Sequence, residues 1–197
     1  MRAILGILLS VILVDNYVLV KFLGICPFLG VSQKTKTALG MGTAVTFVMV
    51  VASAVTWPIQ HYLLERFHVE YLQTIVFILV IASLVQLIEI TLKKFIPALH
   101  KALGIYLPLI TTNCAVLAVS ILNIDNGYTF VQSLVNGLGA GLGFVLAMFM
   151  FSGVRERMES CNIPKALRGL PITLIAASLV SLSFFGFTGL VEGLLGK

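Results

Sequence analysis

Three cysteines occur in this 197-residue chain, and two of them stand in a relation that the third lacks. The runs Cys26-Pro27-Phe28-Leu29-Gly30-Val31-Ser32 and Cys114-Ala115-Val116-Leu117-Ala118-Val119-Ser120 share the pattern Cys-x-x-Leu-x-Val-Ser, 88 residues apart. Three uses are open to such a pair. Each cysteine could be a small buried hydrophobe. A disulfide is disfavoured by the odd count and the wide spacing, and by a lipid or reducing setting. Ligation of a soft metal or an iron–sulfur cluster by thiolates is the third use. Repeat-related placement beside a Pro/Gly-rich stretch favours that one. Two thiolates cannot complete a four-sulfur site, so a cluster at Cys26 and Cys114 needs two ligands from a second polypeptide. Cys161 has no such counterpart and reads as a free thiol.

A four-thiolate two-iron cluster is anionic, and burying it without compensation is costly. Helix N-termini created by breaks could aim N–H groups at it. Lys21, expensive inside a membrane, is a candidate counter-charge; it could instead snorkel or pair with Asp15. Asp15, Asn16, Thr111, Thr112 and Asn113 are polar groups in apolar surroundings that could line an ion path, although Thr and Asn more often join helices. Asp15, Lys21, Thr112 and Asn113 are retained as charge or ion-path candidates. His61, His68 and His100 are scattered at the edges of apolar stretches, and Glu89 stands one helical turn before Lys93 as a helix-end pair. Glycines 137, 139, 141 and 143 lie in an apolar stretch with no preceding strand, which indicates close helix packing and not a nucleotide loop. No Ser–His–Asp set, phosphate-binding loop or paired acid/base carboxylates occur, so no catalytic residue is expected.

These residues sit in a chain that only a bilayer could solvate. Hydrophobic residues make up 59% and charged residues 11%, against about 25% charged in an ordinary soluble domain. Apolar stretches of spanning length fall at about 4–31, 38–60, 71–92, 103–122, 130–152 and 170–191. Each must satisfy its own backbone groups, which demands helices. The expected fold is an all-α polytopic membrane protein of six transmembrane helices in one domain, 1–197. The first stretch carries Asp15, Lys21, Gly24, Pro27 and Gly30 and is expected to break near its second half, with Pro27 removing a donor. The N-terminal stretch lacks a small-x-small cleavage site and is expected to remain as the first span. Net charge is +5. Without basic runs interleaved with aromatics, that charge argues against nucleic-acid binding. Nine Lys and Arg fall in the first, third and fifth connections and three on the other side. The positive-inside rule then places the odd loops in the cytoplasm and both termini outside.

The two halves, about 1–95 and 96–197, align beyond the cysteines. Leu39-Gly40-Met41-Gly42 meets Leu138-Gly139-Ala140-Gly141, and Ala82-Ser83-Leu84-Val85 meets Ala177-Ser178-Leu179-Val180. Each half holds three spans, and three is odd. The second half must therefore enter from the opposite face, giving two inverted repeats with interrupted helices 1 and 4 and function near the midplane. Cys114, 13 residues after Lys101 and 11 before Asp125, falls at mid-depth.

The runs Lys21-Phe22-Leu23-Gly24-Ile25-Cys26-Pro27-Phe28-Leu29-Gly30-Val31-Ser32 and Leu103-Gly104-Ile105-Tyr106-Leu107-Pro108-Leu109-Ile110-Thr111-Thr112-Asn113-Cys114-Ala115-Val116-Leu117 resemble the A-type subunits of Rnf ion-translocating electron-transport complexes. Arg155-Glu156-Arg157 and Phe187-Thr188-Gly189-Leu190 extend the resemblance over essentially the whole chain. The E-type subunit of the Na⁺-translocating NADH:quinone reductase is a related alternative, and Pro27, Gly30 and Thr112 favour Rnf. The resemblance implies a homologous six-span E subunit of opposite orientation, with a [2Fe-2S] cluster held by two cysteines from each. Cys26 and Cys114 match the ligand positions. It further implies the other Rnf subunits (B, C, D and G) as partners, with flavins only in those other subunits, and the bacterial inner membrane as location. The activity implied is electron passage between ferredoxin and NAD coupled to Na⁺ or H⁺ movement. A cluster-free secondary ion transporter is the competing reading from the repeat alone.

Overall fold

The computed structural model describes residues 6–8, 10–67, 70–95, 107–164 and 167–195. The expectations attached to Arg2, His68, His100, Lys101, Lys165, Lys197 and the stretch 103–106 lie outside them. Among the described residues every regular element is helical. A π-helical turn, Ser10–Val14, is followed by α1 (Ile25–Val31), α2 (Thr35–Ile59), α3 (Gln73–Phe95), α4 (Leu107–Thr111), α5 (Cys114–Asp125), α6 (Phe130–Glu159) and α7 (Leu170–Leu195). Pro58 lies inside α2, and the helix continues past it as a π-helical stretch, Gln60–Leu64, and then Glu65–Phe67. Widening to π geometry is a usual response to a disturbed hydrogen-bond ladder.

Three of the described helices, Thr35–Phe67, Gln73–Thr91 and Phe130–Met158, are long and apolar enough to cross a membrane. They coincide with the expected spans 38–60, 71–92 and 130–152; the first and third extend beyond them and the second lies within. Shorter apolar helices occupy Leu109–Asp125 and Leu170–Gly186. The connection expected at 155–169 is shorter than the sequence suggested, because Arg155 and Arg157 belong to the last turns of α6.

The core is the long contact between α2 and α6, with α5 beside α2 and the π-helical turn against α6 and α7. Lipid is as apolar as leucine, so close van der Waals fit must hold such helices together. The glycines of α6 supply it on two faces. A Cβ on Gly137 would stand 2.7 Å from Ser53 Oγ, and one on Gly141 would collide with Thr46; both belong to α2. A Cβ on Gly143 would stand 3.3 Å from the Val11 carbonyl, and one on Gly139 3.8 Å from Leu8. Residues four apart share a helix face and residues two apart lie nearly opposite, so 137/141 serve α2 while 139/143 serve the N-terminal segment. Close packing, expected from the sequence, is therefore their use.

The α2–α6 contact is also reciprocal. Gly42 of α2 packs on Val145 of α6, and Gly141 of α6 packs on Thr46 of α2. Each glycine touches the residue four places beyond its counterpart.

Candidate functional site

Two interruptions shape the site, and each is held by specific side chains. In the first, Asn16 replaces lost helix bonds: its Oδ1 accepts from the Val18 and Leu19 amides at 3.0 and 3.3 Å. Its Nδ2 donates to the Ile12 and Gly143 carbonyls at 3.2 and 2.9 Å. Ser181 of α7 donates to the Leu19 carbonyl at 2.5 Å. The chain re-enters a helix through Gly24, whose φ of 84° only glycine adopts without strain. Helix α1 starts at Ile25, so Cys26 is its second residue and Pro27 its third. This corrects the expectation that Pro27 breaks the helix. The first N–H groups of any helix have no internal partner, so a proline there removes nothing. The break lies upstream of it.

The second interruption separates α4 from α5 at Thr112 and Asn113. Asn113 caps α5, its Oδ1 accepting from the Ala115 amide at 3.0 Å, and Cys114 is the first helical residue. Both cysteines thus occupy the first turn of a helix that begins at an interruption. The interruptions also meet. The Gly24 amide donates to Cys114 Sγ at 2.8 Å. A Cβ on Gly24 would stand 3.0 Å from the Phe144 ring, 3.1 Å from Ala115 and 3.2 Å from Asn113 Oδ1. Phe144 lies halfway along α6, so the meeting point is at mid-height of the bundle.

Cys26 and Cys114 are not buried within the chain, as a small-hydrophobe role would require; both are exposed, as is Cys161. The helix breaks bring them to the outer surface of the bundle at half its height. Cys114 and Thr112 open onto a largely apolar recess of about 330 Å³ walled by Ile78 and Ile81 of α3. Asn113 Nδ2 is buried there without a partner. Among the described residues no three His, Cys, Asp or Glu side chains converge as metal ligands.

The remaining candidates lie elsewhere. Asp15 and Lys21 line another recess, of about 240 Å³, with Asn126 and Tyr128. They do not pair with each other: Asp15 accepts from Ser10 Oγ at 3.1 Å, and the Lys21 ammonium lies 5.0 Å from the centre of the Tyr17 ring. Thr111 and Asn113 belong to the cysteine site, and Asn16 serves packing. His61 pairs with Glu65 at 3.1 Å and stacks on Trp57, whereas no ion pair forms between Glu89 and Lys93 among the described residues.

Two groups escaped the sequence reading. Arg155 reaches back to donate to the Leu29 carbonyl at 2.6 Å and to Ser32 Oγ at 2.9 Å, placing a cation on the negative end of α1. Phe28 stacks on Phe151 with centroids 4.2 Å apart. The second group is a buried cluster of Tyr17, Ser53, Asn123, Ser133 and Asn136. Its signal in the sequence was Asn136 inside the apolar stretch 130–152, with Asn123 just past the end of 103–122.

Relatives match the chain over nearly its whole length. The family described as Rnf-Nqr subunit, membrane protein, matches residues 4–191. The chain is 58% identical to a protein of Syntrophotalea carbinolica named as the A-type subunit of an ion-translocating oxidoreductase complex, over 98% of this chain and 100% of the relative. It is 56% identical to the A-type subunit of the Na⁺-translocating ferredoxin:NAD⁺ oxidoreductase complex of Acetobacterium woodii, over 95% of this chain and 97% of the relative. A similarly named Azoarcus protein is 55% identical over the same shares. With the family matched over nearly all of its length, and relatives above half identity end to end, the chain belongs to the Rnf-Nqr family of membrane subunits.

Proposed function

We propose that this chain is the A-type membrane subunit of an Rnf-type ion-translocating oxidoreductase, carrying half the ligands of an intramembrane [2Fe-2S] cluster. One observation carries the reading: Cys26 and Cys114 each sit in the first turn of an interrupted helix, where the breaks touch through the Gly24 amide and Cys114 Sγ. The surrounding residues fit an anionic sulfur centre. The Gly24 N–H already points at one sulfur, and the unpartnered Asn113 Nδ2 is a buried donor beside it. Two helix N-termini add positive potential. Exposure of both thiols suits a site completed by a second polypeptide. The cluster would supply uptake and release of one electron.

What this chain contributes is position and charge. Cys26 and Cys114 would bind iron, Gly24 and Asn113 would hold the negative charge on sulfur, and Arg155 would fix the far end of α1. The apolar flank of α3, with Ile75, Leu79, Leu87 and Ile90 exposed, would meet lipid or the homologous E subunit. The reciprocal Gly42–Val145 and Gly141–Thr46 contacts support two inverted three-helix repeats, and the basic end of α6 supports an orientation with that end in the cytoplasm and both termini outside. Flavins and nucleotide sites would belong to partner subunits, and Na⁺ is the ion named for the Acetobacterium relative.

The test is iron and acid-labile sulfide analysis of the co-purified A–E pair, with anaerobic EPR. A reduced [2Fe-2S] signal that disappears in Cys26→Ser and Cys114→Ser is expected. An iron-free pair, or iron unchanged by both substitutions, overturns the reading in favour of a cluster-free transporter.

A further inference from the structure

The end of the bundle away from Asn126 and Tyr128 holds a recess that the cysteine site does not use. It has a volume of about 240 Å³ and lies between the last turns of α6 and the first turn of α7. Arg155 and Met158 of α6, Cys161 of the connection, and Arg168, Gly169 and Thr173 at the start of α7 are among its walls. Gly169 turns the chain into α7 with a φ of 100°, and a Cβ there would meet nothing within 4 Å, so that side stays open. The Thr173 hydroxyl and amide both donate to the Gly169 carbonyl, at 2.9 and 3.4 Å, which occupies that acceptor. The recess thus meets the positive end of a 26-residue helix.

Two guanidinium groups add to that potential. Arg155 is held in place by the Leu29 carbonyl and Ser32 Oγ at 2.6 and 2.9 Å, and Arg168 comes from the opposite wall. Glu156 is engaged elsewhere, accepting from Thr35 Oγ1 at 3.2 Å. No carboxylate is among the described residues that line the recess. Such a lining calls for an anion, and the guanidinium fork matches the oxygens of a phosphate.

Position decides which phosphate. Beside the recess, Leu170 and Leu174 are 66% and 49% exposed, one turn apart on α7, so an apolar track leads from the basic recess down the helix. A soluble phosphate makes no use of that track, whereas an acyl chain does. Basic pockets between spanning helices at the membrane surface hold anionic headgroups. We infer that this recess binds the phosphate of an anionic phospholipid, whose acyl chain lies along Leu170 and Leu174. The inference goes beyond the cluster reading and does not depend on it. Arg155 also holds the end of α1, so an occupied recess steadies the helix that carries Cys26.

Cys161 is a built-in reporter, because it is exposed and lines the recess. The purified complex is placed in phosphatidylcholine nanodiscs with rising fractions of phosphatidylglycerol, and N-ethylmaleimide alkylation of Cys161 is followed by peptide mass spectrometry. Alkylation should slow several-fold as the anionic lipid fills the site. In Arg168→Gln, an exposed position, the fraction giving half of that slowing should rise about fivefold, as loss of one arginine at a charged surface does. Arg168→Lys keeps the charge without the fork and should fall between the two. The surface charge of the disc acts on all three proteins, so the difference between them reads the recess. No slowing, or the same lipid dependence in wild type and Arg168→Gln, overturns the site. Equal slowing by inorganic phosphate in pure phosphatidylcholine discs, at matched ionic strength, overturns the lipid in favour of a soluble phosphate. Iron measured on the same samples keeps the readings apart: an iron-free complex with the Arg168-dependent slowing removes the cluster and leaves the lipid site, and normal iron without the slowing does the reverse.

Discussion

Gly24 carries two demands at once. Its φ of 84° lies in the left-handed region, and a Cβ there would press on Phe144, Ala115 and Asn113. Gly24→Ala should cost about 1–2 kcal/mol for the conformation alone, with crowding added, and should shift the amide away from Cys114 Sγ. The expected outcome is a lower thermal midpoint of the purified complex and an altered alkylation rate at Cys114; an unchanged midpoint would contradict it. Asn113 separates two roles in one side chain, since its oxygen caps α5 while its nitrogen lacks a partner. Asn113→Ala removes both and should cost about 1 kcal/mol of helix stability. Asn113→Asp keeps the cap and replaces the free donor by a negative charge. Stability should then stay near wild type while the midpoint potential of the EPR signal falls, because the added charge disfavours reduction. A potential that rises or does not move would assign Asn113 to structure only.

The elements show where sequence patterns suffice and where they stop. Spans at 38–60, 71–92 and 130–152 were legible because about twenty apolar residues in lipid leave the backbone no alternative to a helix. The glycine run in α6 was legible because small residues at four-residue spacing have one common use in such a chain. The place of the first break was not. Pro27 attracted attention, yet the interruption is made by Asn16 and Gly24, whose partners Gly143 and Cys114 lie far along the chain. Local composition could not reveal those long-range bonds. The exposure of Cys26 and Cys114 was equally hidden, because periodicity does not say which side of an interrupted helix faces the bundle. Gly141→Ala tests the packing stripe: it should destabilise the complex by about 1–3 kcal/mol through overpacking on Thr46. Gly40→Ala, with open space around its Cβ, should be neutral or slightly stabilising by helix propensity. Equal thermal midpoints for the two variants would contradict the α2–α6 fit.

At the scale of the whole molecule, the basic loops and the reciprocal α2–α6 contact make separate claims that one experiment joins. Inverted repeats would place the Cys26 helix and the Cys114 helix in opposite directions, so that their N-termini converge at mid-height while the ends of α6 reach opposite surfaces. Arg155 and Cys161 mark one surface, Asn126 and Tyr128 the other, separated by α6 at about 1.5 Å per residue. Under the positive-inside rule, the charge of Arg155, Arg157 and Arg168 would assign the first surface to the cytoplasm. A membrane-impermeant maleimide should therefore label exposed Cys161 in inverted vesicles and leave it unlabelled in intact right-side-out vesicles, with Cys161→Ser as the blank. Asn126→Cys in the Cys161→Ser background should show the opposite sidedness. Labelling of both positions from the same side would break the spanning role of α6, and reversed sidedness would place the charge-based orientation the wrong way round. The first outcome removes the inverted repeat along with it; the second leaves the repeat and the mid-height meeting of the two cysteine helices intact, because a two-fold axis in the membrane plane does not depend on which surface is called inside.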